Sequence, residues 1–331
     1  MIDAVMIMTK DHVLKMLIQS DSYLSGETVS QDLGITRAAV NAAVKSLRAD
    51  GYIIDSVTNR GYKLMNKPDI LCEGAIASCL PENRMETVCF LKEVDSTNDY
   101  LRKLAYQGAP QGQVVISDHQ TNGKGRQGRS FDSPSNAGIY FSYLFRPTTV
   151  PADTAEITAW SAVAVQNSIR SVCGFESEIK WINDLVVGDR KLCGILTELA
   201  VEAESGQVQF VIIGVGINCN ELTEDFAEEI QDRATSLFLQ TGNRIDRSAL
   251  AAELVQNFDQ MISDWPDEHD WYLDQYCRWC STTGRMIRIL KGNETETAFA
   301  ERVNDSFGLV VKLEDGSMKI LNSGEVTTRN A

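Results

Sequence analysis

Three glycines and three cations fall within seven residues at Gly123-Lys124-Gly125-Arg126-Gln127-Gly128-Arg129. Glycine reaches positive φ cheaply and lets backbone N–H groups approach a ligand closely. Fixed cations beside such a backbone favour an anion, above all a phosphate. Gly123-x-Gly125-x-x-Gly128 fits a dinucleotide fingerprint, and Gly123-x4-Gly128-Arg129-Ser130 departs from a P-loop only by Arg for Lys. Both motifs need a helix directly after the glycines, whereas residues 131–138 are rich in Ser, Asp, Pro, Asn and Gly, so both are excluded. The bland alternative is a solvated basic hairpin tip.

The apolar runs Val114–Ile116 and Ile139–Phe145 read as strands on either side of this loop. Before it, Val88–Leu91 reads as a strand, and Asp95 or Ser96 caps a helix over Asn98–Gln107. The cluster Asp95-Ser96-Thr97-Asn98 at that junction either faces a ligand or only caps the helix. After the loop, residues 154–173 read as a long buried helix. Ile179–Val187 and Arg190–Leu199 read as strands joined at Gly188-Asp189, which sets Lys180, Asn183 and Lys191 close to a core. Polar groups there need partners, which could be a bound anion, Asp184 or Glu198. Val208–Asn218 is a further strand, whose Gly214 and Gly216 suggest close backbone approach. Helical stretches follow around Leu222–Ala234 and Ser248–Ser263. Short strands with Gly and Asn turns across residues 282–328 form a small all-β barrel.

The N-terminus has its own pattern. Residues 9–24 suit a buried helix, and Ser25–Leu33 carries a short one that Gly34 ends. Thr36 then caps a helix over Arg37–Asp50, with Val40, Val44 and Leu47 on one face and Arg37, Asn41, Lys45 and Arg48 on another. Ala38, Ala39, Ala42 and Ala43 on that helix permit close approach and contact with thymine methyls. A hairpin through Thr58-Asn59-Arg60 completes a winged helix-turn-helix, in which Arg37, Asn41, Lys45 and Arg60 are the DNA contacts. A three-helix docking module is the alternative.

At 331 residues and 43% hydrophobic content the chain can fill two or three domains. No apolar run is long enough to span a membrane, and the N-terminus lacks an export pattern. Eight cysteines without paired spacing point to a reduced, cytoplasmic setting; Cys277-x-x-Cys280 reads as thiols rather than a zinc site. The whole chain has a net charge of −15, which leaves −16 beyond residue 67 and +1 before it; this argues against a nonspecific nucleic-acid coat while permitting local binding through the N-terminal segment.

Six motifs taken in order resemble one family over nearly the whole chain, the bifunctional biotin protein ligases and biotin operon repressors of bacteria. They are Asp95–Asn98, Gln120–Arg129, Lys180–Leu185, Arg190–Leu196, Gly214–Asn218 and Gly324-Glu325-Val326. Departures from the family pattern are Lys124 for Arg, Ile182 for Pro, and the alanines Ala42-Ala43 on the recognition helix. The resemblance implies a multidomain α+β chain: winged helix-turn-helix at 1–67, linker at 68–86, mixed α/β catalytic domain of class II synthetase-like type at 87–280, and SH3-like β-barrel at 281–331.

It also implies that biotin and ATP, with Mg²⁺, give biotinyl-5′-AMP, and that the biotinyl group passes to a lysine of a biotin carboxyl carrier protein. Lys191, Arg126 and Arg129 would be catalytic. Ser96, Thr97, Asn98, Gln120, Lys124, Gly125, Arg126, Lys191, Gly194, Ile195 and Leu196 would hold biotin, with Phe131 and Tyr140 as apolar walls. Arg129, Lys180, Asn183 and Asn218 would hold the nucleotide, and Asp184 is the metal candidate. The adenylate would also act as corepressor, promoting a homodimer that binds operator DNA. Alternatives are a ligase with a vestigial DNA-binding domain, a lipoate-type ligase, and a repressor whose ligand domain only senses.

Overall fold

The structure is a computed structural model that describes residues 2–147, 154–202, 204, 206–291 and 294–327. The chain forms two compact units: residues up to Glu86 with Asp246–Ala252, and Thr87–Ile245 with the chain from Glu253 onward.

The first unit begins with helices α1 (Ile2–Ile18), α2 (Gly26–Asp32) and α3 (Arg37–Ala49), followed by a hairpin of β1 (Ile53–Val57) and β2 (Gly61–Asn66). Ser25 caps α2 by accepting from Thr28 N at 3.0 Å, and Thr36 caps α3 by accepting from Ala39 N at 3.2 Å. Val40, Val44 and Leu47 of α3 join Val13, Leu14, Leu17, Val29 and Ile54 in one core. Ala43 belongs to that core rather than to the exposed face expected for it, because it falls beside Val40 and Leu47 on the helical wheel.

Residues 68–86, expected as a linker, are instead part of this unit. They carry α4 (Glu73–Ala77), whose Ala75 and Ile76 are fully buried. Gly74 N donates to Asp11 Oδ1 at 3.0 Å, and a Cβ at Gly74 would meet the Asp11 carbonyl oxygen, so backbone packs on backbone. Arg247, fully buried, donates Nε to Asp69 Oδ2 at 2.8 Å. The segment reads as a linker in sequence because its packing depends on Asp11 and Arg247, which are distant in the chain.

The second unit is built on a seven-stranded sheet in the order β3-β4-β5-β9-β8-β7-β6. Its strands are β3 (Val88–Leu91), β4 (Val114–Ser117), β5 (Ile139–Phe145), β6 (Glu178–Lys180), β7 (Asp184–Val187), β8 (Arg190–Val201) and β9 (Val208–Ile217). Only β3 and β4 pair in parallel, through the crossover helix α5 (Thr97–Tyr106). Every residue of β5 is buried, as a strand packed on both faces requires. Helix α6 (Thr154–Cys173) packs on β8, and α7 (Leu237–Thr241), α8 (Arg247–Asp264) and α9 (His269–Trp279) follow. Tyr272 of α9 stacks on Trp160 of α6 with ring centroids 3.8 Å apart.

Two local expectations are corrected. Leu222–Ala234 is not an α-helix; it holds short 3₁₀ turns at Thr223–Asp225 and Glu228–Ile230. Glu224 and Glu228, and Asp225 and Glu229, would repel at i,i+4 in a helix. The segment's end pairs with β8 instead: Lys191 N donates to Arg233 O at 2.7 Å and Thr235 N to Lys191 O at 2.9 Å. Ile179–Val187 is not one strand either, since residues 181–183 form a turn between β6 and β7.

The C-terminal strands β10 (Arg285–Lys291), β11 (Glu294–Val303), β12 (Leu309–Leu313), β13 (Met318–Leu321) and β14 (Glu325–Thr327) form an antiparallel sheet in the order β13-β12-β11-β10-β14. Trp181 ties it to the larger sheet, donating Nε1 to Phe307 O at 2.8 Å while Trp181 N donates to Thr282 Oγ1 at 2.9 Å.

Candidate functional site

Register places Gly194 of β8 opposite Gly216 of β9, and Leu196 opposite Gly214. These glycines face one cavity, where side chains from elsewhere fill the space a Cβ would need. A Cβ at Gly216 would lie 2.5 Å from the Phe131 ring, one at Gly194 would lie 2.8 Å from Lys191 Nζ, and one at Gly214 would collide with the Asn98 amide. The cavity, about 460 Å³, is lined by Ser96, Asn98, Gln120, Lys124, Gly125, Arg126, Phe131, Asn183, Lys191, Gly194, Ile195, Leu196 and residues 214–216. A neighbouring cavity of about 620 Å³ shares Gly125, Arg126, Phe131, Asn183 and Lys191 and adds Arg129, Lys180, Trp181, Asp184 and Glu325.

One end of the first cavity is polar and built on the start of α5. Ser96 caps that helix by accepting from Asp99 N. Gln120 Oε1 accepts from Thr97 N at 2.9 Å and from Thr97 Oγ1 at 3.1 Å, and its Nε2 donates to Ser133 Oγ at 3.0 Å. Ser142 Oγ lies 2.6 Å from Asn98 Oδ1, and Asn98 Nδ2 donates to Glu198 Oε2 at 2.7 Å. Thr97 is buried behind Gln120 and does not line the cavity, so its part is to fix the amide.

The other end is cationic. Lys191 Nζ lies 2.8 Å from Asp184 Oδ1 and 6.0 Å from the Phe131 ring centroid. Arg126 donates Nη1 to Asn183 Oδ1 at 2.6 Å and Nη2 to Gly324 O at 2.9 Å. Arg129 donates to both oxygens of Glu325, at 2.8 and 2.6 Å. That guanidinium holds the Glu325 carboxyl below the ordinary carboxylate range against a smaller opposing effect of burial. The loop closes as a small hairpin, with Gly125 N donating to Arg129 O at 2.7 Å and Phe131 N to Gly123 O at 2.9 Å. Gln127, with φ 57°, and Gly128, with φ 74°, make its turn.

Most residues singled out in the sequence thus meet in two adjoining cavities. Asn218 does not: its amide donates to Thr235 O at 2.9 Å and Lys191 O at 3.4 Å, bracing the strand behind Lys191. Asp184 lies in the second cavity, bonded to Lys191 and to Asn183 Nδ2. Among the described residues no three His, Cys, Asp or Glu side chains group as a metal site. A divalent cation here would take one carboxylate, Asp184, and its other ligands from phosphate and water. Sequence motifs point neither to Glu325 as the partner of Arg129 nor to Asp99 as the partner of Lys124 at 2.5 Å. Neither pairing follows a local periodicity, so no local signal points to it.

In the first unit, Arg37, Ala38, Asn41, Ala42 and Lys45 form an exposed face of α3. Arg37 pairs with Glu27 at 3.2 Å, Asn41 Nδ2 donates to Tyr62 OH at 3.3 Å, and the Arg60 guanidinium lies 4.6 Å over the Tyr23 ring. Arg48, grouped with the polar face, turns back to Ile54 O and Ser56 Oγ. No helix among the described residues is long and apolar enough to cross a membrane.

Residues 90–218 match the biotin/lipoate A/B protein ligase family, and residues 9–63 match a helix-turn-helix domain. The bifunctional ligase/repressor BirA of Bacillus spizizenii is 33% identical over 308 residues, covering 91% of this chain and 93% of that protein. The protein of the same name from Bacillus subtilis is 35% identical over 246 residues, 74% of this chain and 75% of its own length. A biotin protein ligase from Aquifex aeolicus, solved in complex with biotin and ATP, superposes with a TM-score of 0.65 at 26% identity, covering 74% of this chain and all of the other. Because the likeness to the Bacillus spizizenii protein runs from the helix-turn-helix through the cavities to the C-terminal strands, the chain belongs to the family of bifunctional biotin ligase/repressors.

Proposed function

We infer that the two cavities bind biotin and ATP side by side. The polar end at Ser96, Asn98 and Gln120 takes the ureido ring, and the cationic end takes the biotin carboxylate and the α-phosphate. The carboxylate is ionised near pH 7, so no general base is needed to make it a nucleophile. Its oxygen bonds to the α-phosphorus while the bond to the β-phosphate oxygen breaks, releasing pyrophosphate. The obstacle is repulsion between two anions, and positioned cations lower it. Lys191 bridges the reacting groups, Arg126 is steered by Asn183, and Arg129 and Lys180 hold phosphates. Mg²⁺ carried by the nucleotide would add charge neutralisation at Asp184. Asn218 acts as a brace for Lys191 rather than as a nucleotide contact. In the second step the neutral amine of a carrier-protein lysine attacks the acyl carbon, the bond to the phosphate oxygen breaks, AMP leaves, and the proton lost by the amine passes to solvent.

The observation that carries this reading is the joining of a neutral polar end to a cationic end across a floor of paired glycines. The same polarity favours biotin over lipoate, whose dithiolane would leave Asn98 and Gln120 facing an apolar ring. The test incubates the protein with ATP and radiolabelled biotin, with and without a carrier domain, with lipoate as competitor. Absence of labelled adenylate, or equal competition by lipoate, rejects the reading.

The first unit supplies repression in a cytoplasmic setting. A near-neutral helix-turn-helix binds DNA weakly alone, and two copies on a dimer gain effective concentration. The adenylate can drive this only by favouring the dimer. Sedimentation and DNA binding with and without adenylate test it; no change in either leaves a ligase with a vestigial domain.

A further inference from the structure

The polar end of the first cavity is wired to a chain of alternating charges that the reaction does not itself require. Lys124 Nζ lies 2.5 Å from Asp99 Oδ2. Asp99 Oδ1 lies 2.5 Å from Arg102 Nη1, and Arg102 Nη2 lies 2.7 Å from Glu198 Oε1. Glu198 Oε2 accepts from Asn98 Nδ2 at 2.7 Å. The path therefore leaves the cavity at Lys124, passes through three side chains, and returns to it at Asn98. It holds two cations and two anions, with Asp99 20% exposed and Arg102 and Glu198 about a third exposed. Burial alone would raise the Asp99 carboxyl, yet Lys124 and Arg102 hold it below the ordinary range, so it stays ionised.

Two consequences follow from this geometry. Lys124 sits in the glycine-rich loop, and Asp99 sits on the first turn of α5, so their pair ties the loop's entry to the helix that packs on the sheet. The pair also neutralises Lys124, which leaves the polar end fit for an uncharged ring rather than for a second anion. Arg126 and Arg129 tie the same loop elsewhere, to Gly324 and Glu325, but those contacts lie at the phosphate end.

We propose that Asp99 is a positioning residue for biotin: through Lys124 it latches the glycine-rich loop over the neutral ring, and through Arg102 and Glu198 it holds the Asn98 amide at the same ring. This rests on the biotin–ATP reading above. The latch governs retention of biotin and of the adenylate, not the phosphoryl step, which occurs at the other end.

The full-length protein is assayed with ATP, radiolabelled biotin and a carrier domain. Asp99→Asn is expected to raise the KM for biotin about tenfold and to shorten retention of the labelled intermediate without acceptor by a similar factor. The maximal rate of pyrophosphate release stays within about twofold. Asp99→Glu restores most of the loss, which a purely structural role would not. Lys124→Met also raises the KM for biotin, and the double variant is no worse than Lys124→Met alone. Wild-type KM and retention in Asp99→Asn, or effects that multiply in the double variant, overturn the latch. If Asp99→Asn does not fold, Arg102→Gln carries the same decision, because its side chain is 31% exposed, lies outside the cavity lining and pairs with both Asp99 and Glu198. A wild-type protein that forms no adenylate rejects the ligase reading itself; an active wild type with unaltered variants rejects only the latch.

Discussion

Arg129 of the glycine-rich loop and Glu325 of the last strand form a two-point clasp, with Nη1–Oε1 at 2.8 Å and Nη2–Oε2 at 2.6 Å. A phosphate entering the second cavity must share or displace that carboxylate. Arg129 is 62% exposed, so the clasp contributes only on the order of 0–1 kcal/mol. Glu325→Gln should therefore raise hydrogen exchange across residues 123–131 at neutral pH and change ATP affinity by no more than a few-fold. The depressed Glu325 carboxyl gives the pH sign: its contribution is present above the ordinary carboxylate pKa and lost as pH falls through its lower folded value. Loop protection in the wild type should fall on acidification, while Glu325→Gln shows no matching step. Parallel pH profiles in both proteins would contradict this.

Lys191→Ala should nearly abolish adenylate formation while the fold persists. The ammonium lies at the cationic end on a strand braced by Asn218 and by Arg233–Thr235. Loss of one such electrostatic contact costs roughly 10²–10³ in rate. Pyrophosphate release is the measurement, and a rate within tenfold of wild type removes Lys191 from the mechanism.

Gly216→Ala should push Phe131 off the cavity floor, since the new methyl would meet the ring at 2.5 Å. Overpacking of this kind costs about 1–3 kcal/mol, seen as a higher KM for biotin and a lower Tm. Phe131→Leu in the same chain should recover part of the Tm. No recovery would place the clash elsewhere.

Arg247→Met should destabilise the first unit by about 3–5 kcal/mol, because the buried Asp69 carboxylate, 6% exposed at its side chain, would lose the guanidinium that pairs with it. Urea unfolding of Arg247→Met against Arg247→Met/Asp69→Leu tests this, with the double variant the more stable of the two. Equal midpoints for wild type and single variant would refute it.

On DNA, Lys45→Ala should weaken binding across sequences alike and reduce the salt slope by about 1. Lys45 is exposed on α3, whereas Arg37 is held by Glu27. An unchanged salt slope would take Lys45 off the phosphate backbone.

Much of this was legible in the sequence because it was local. The caps at Ser25, Thr36 and Ser96, the largely apolar β5 and the Gly-Asp turn before β8 each follow from neighbours in the chain. What was missed is long-range. The packing of residues 68–86 needs Asp11 and Arg247, and the pairing of residues 233–235 beside Lys191 replaced an expected helix. The cations were recognisable as an anion site, but their partners Asp99 and Glu325 were not, because one lies on a helix and the other some 200 residues away. Asn218 shows the converse: its motif marked it out, and the fold turned its amide to the backbone.

The charge pairs at Lys124, Arg129 and Lys191 also bear on how the protein responds to its medium. Each cation brings its own counter-ion from the chain, so an arriving nucleotide exchanges partners with Asp184 or Glu325 instead of expelling ions from solution. Little salt is released on binding, and affinity for the nucleotide should depend only weakly on ionic strength. Nucleotide binding should then stay nearly constant through swings in the salt around it.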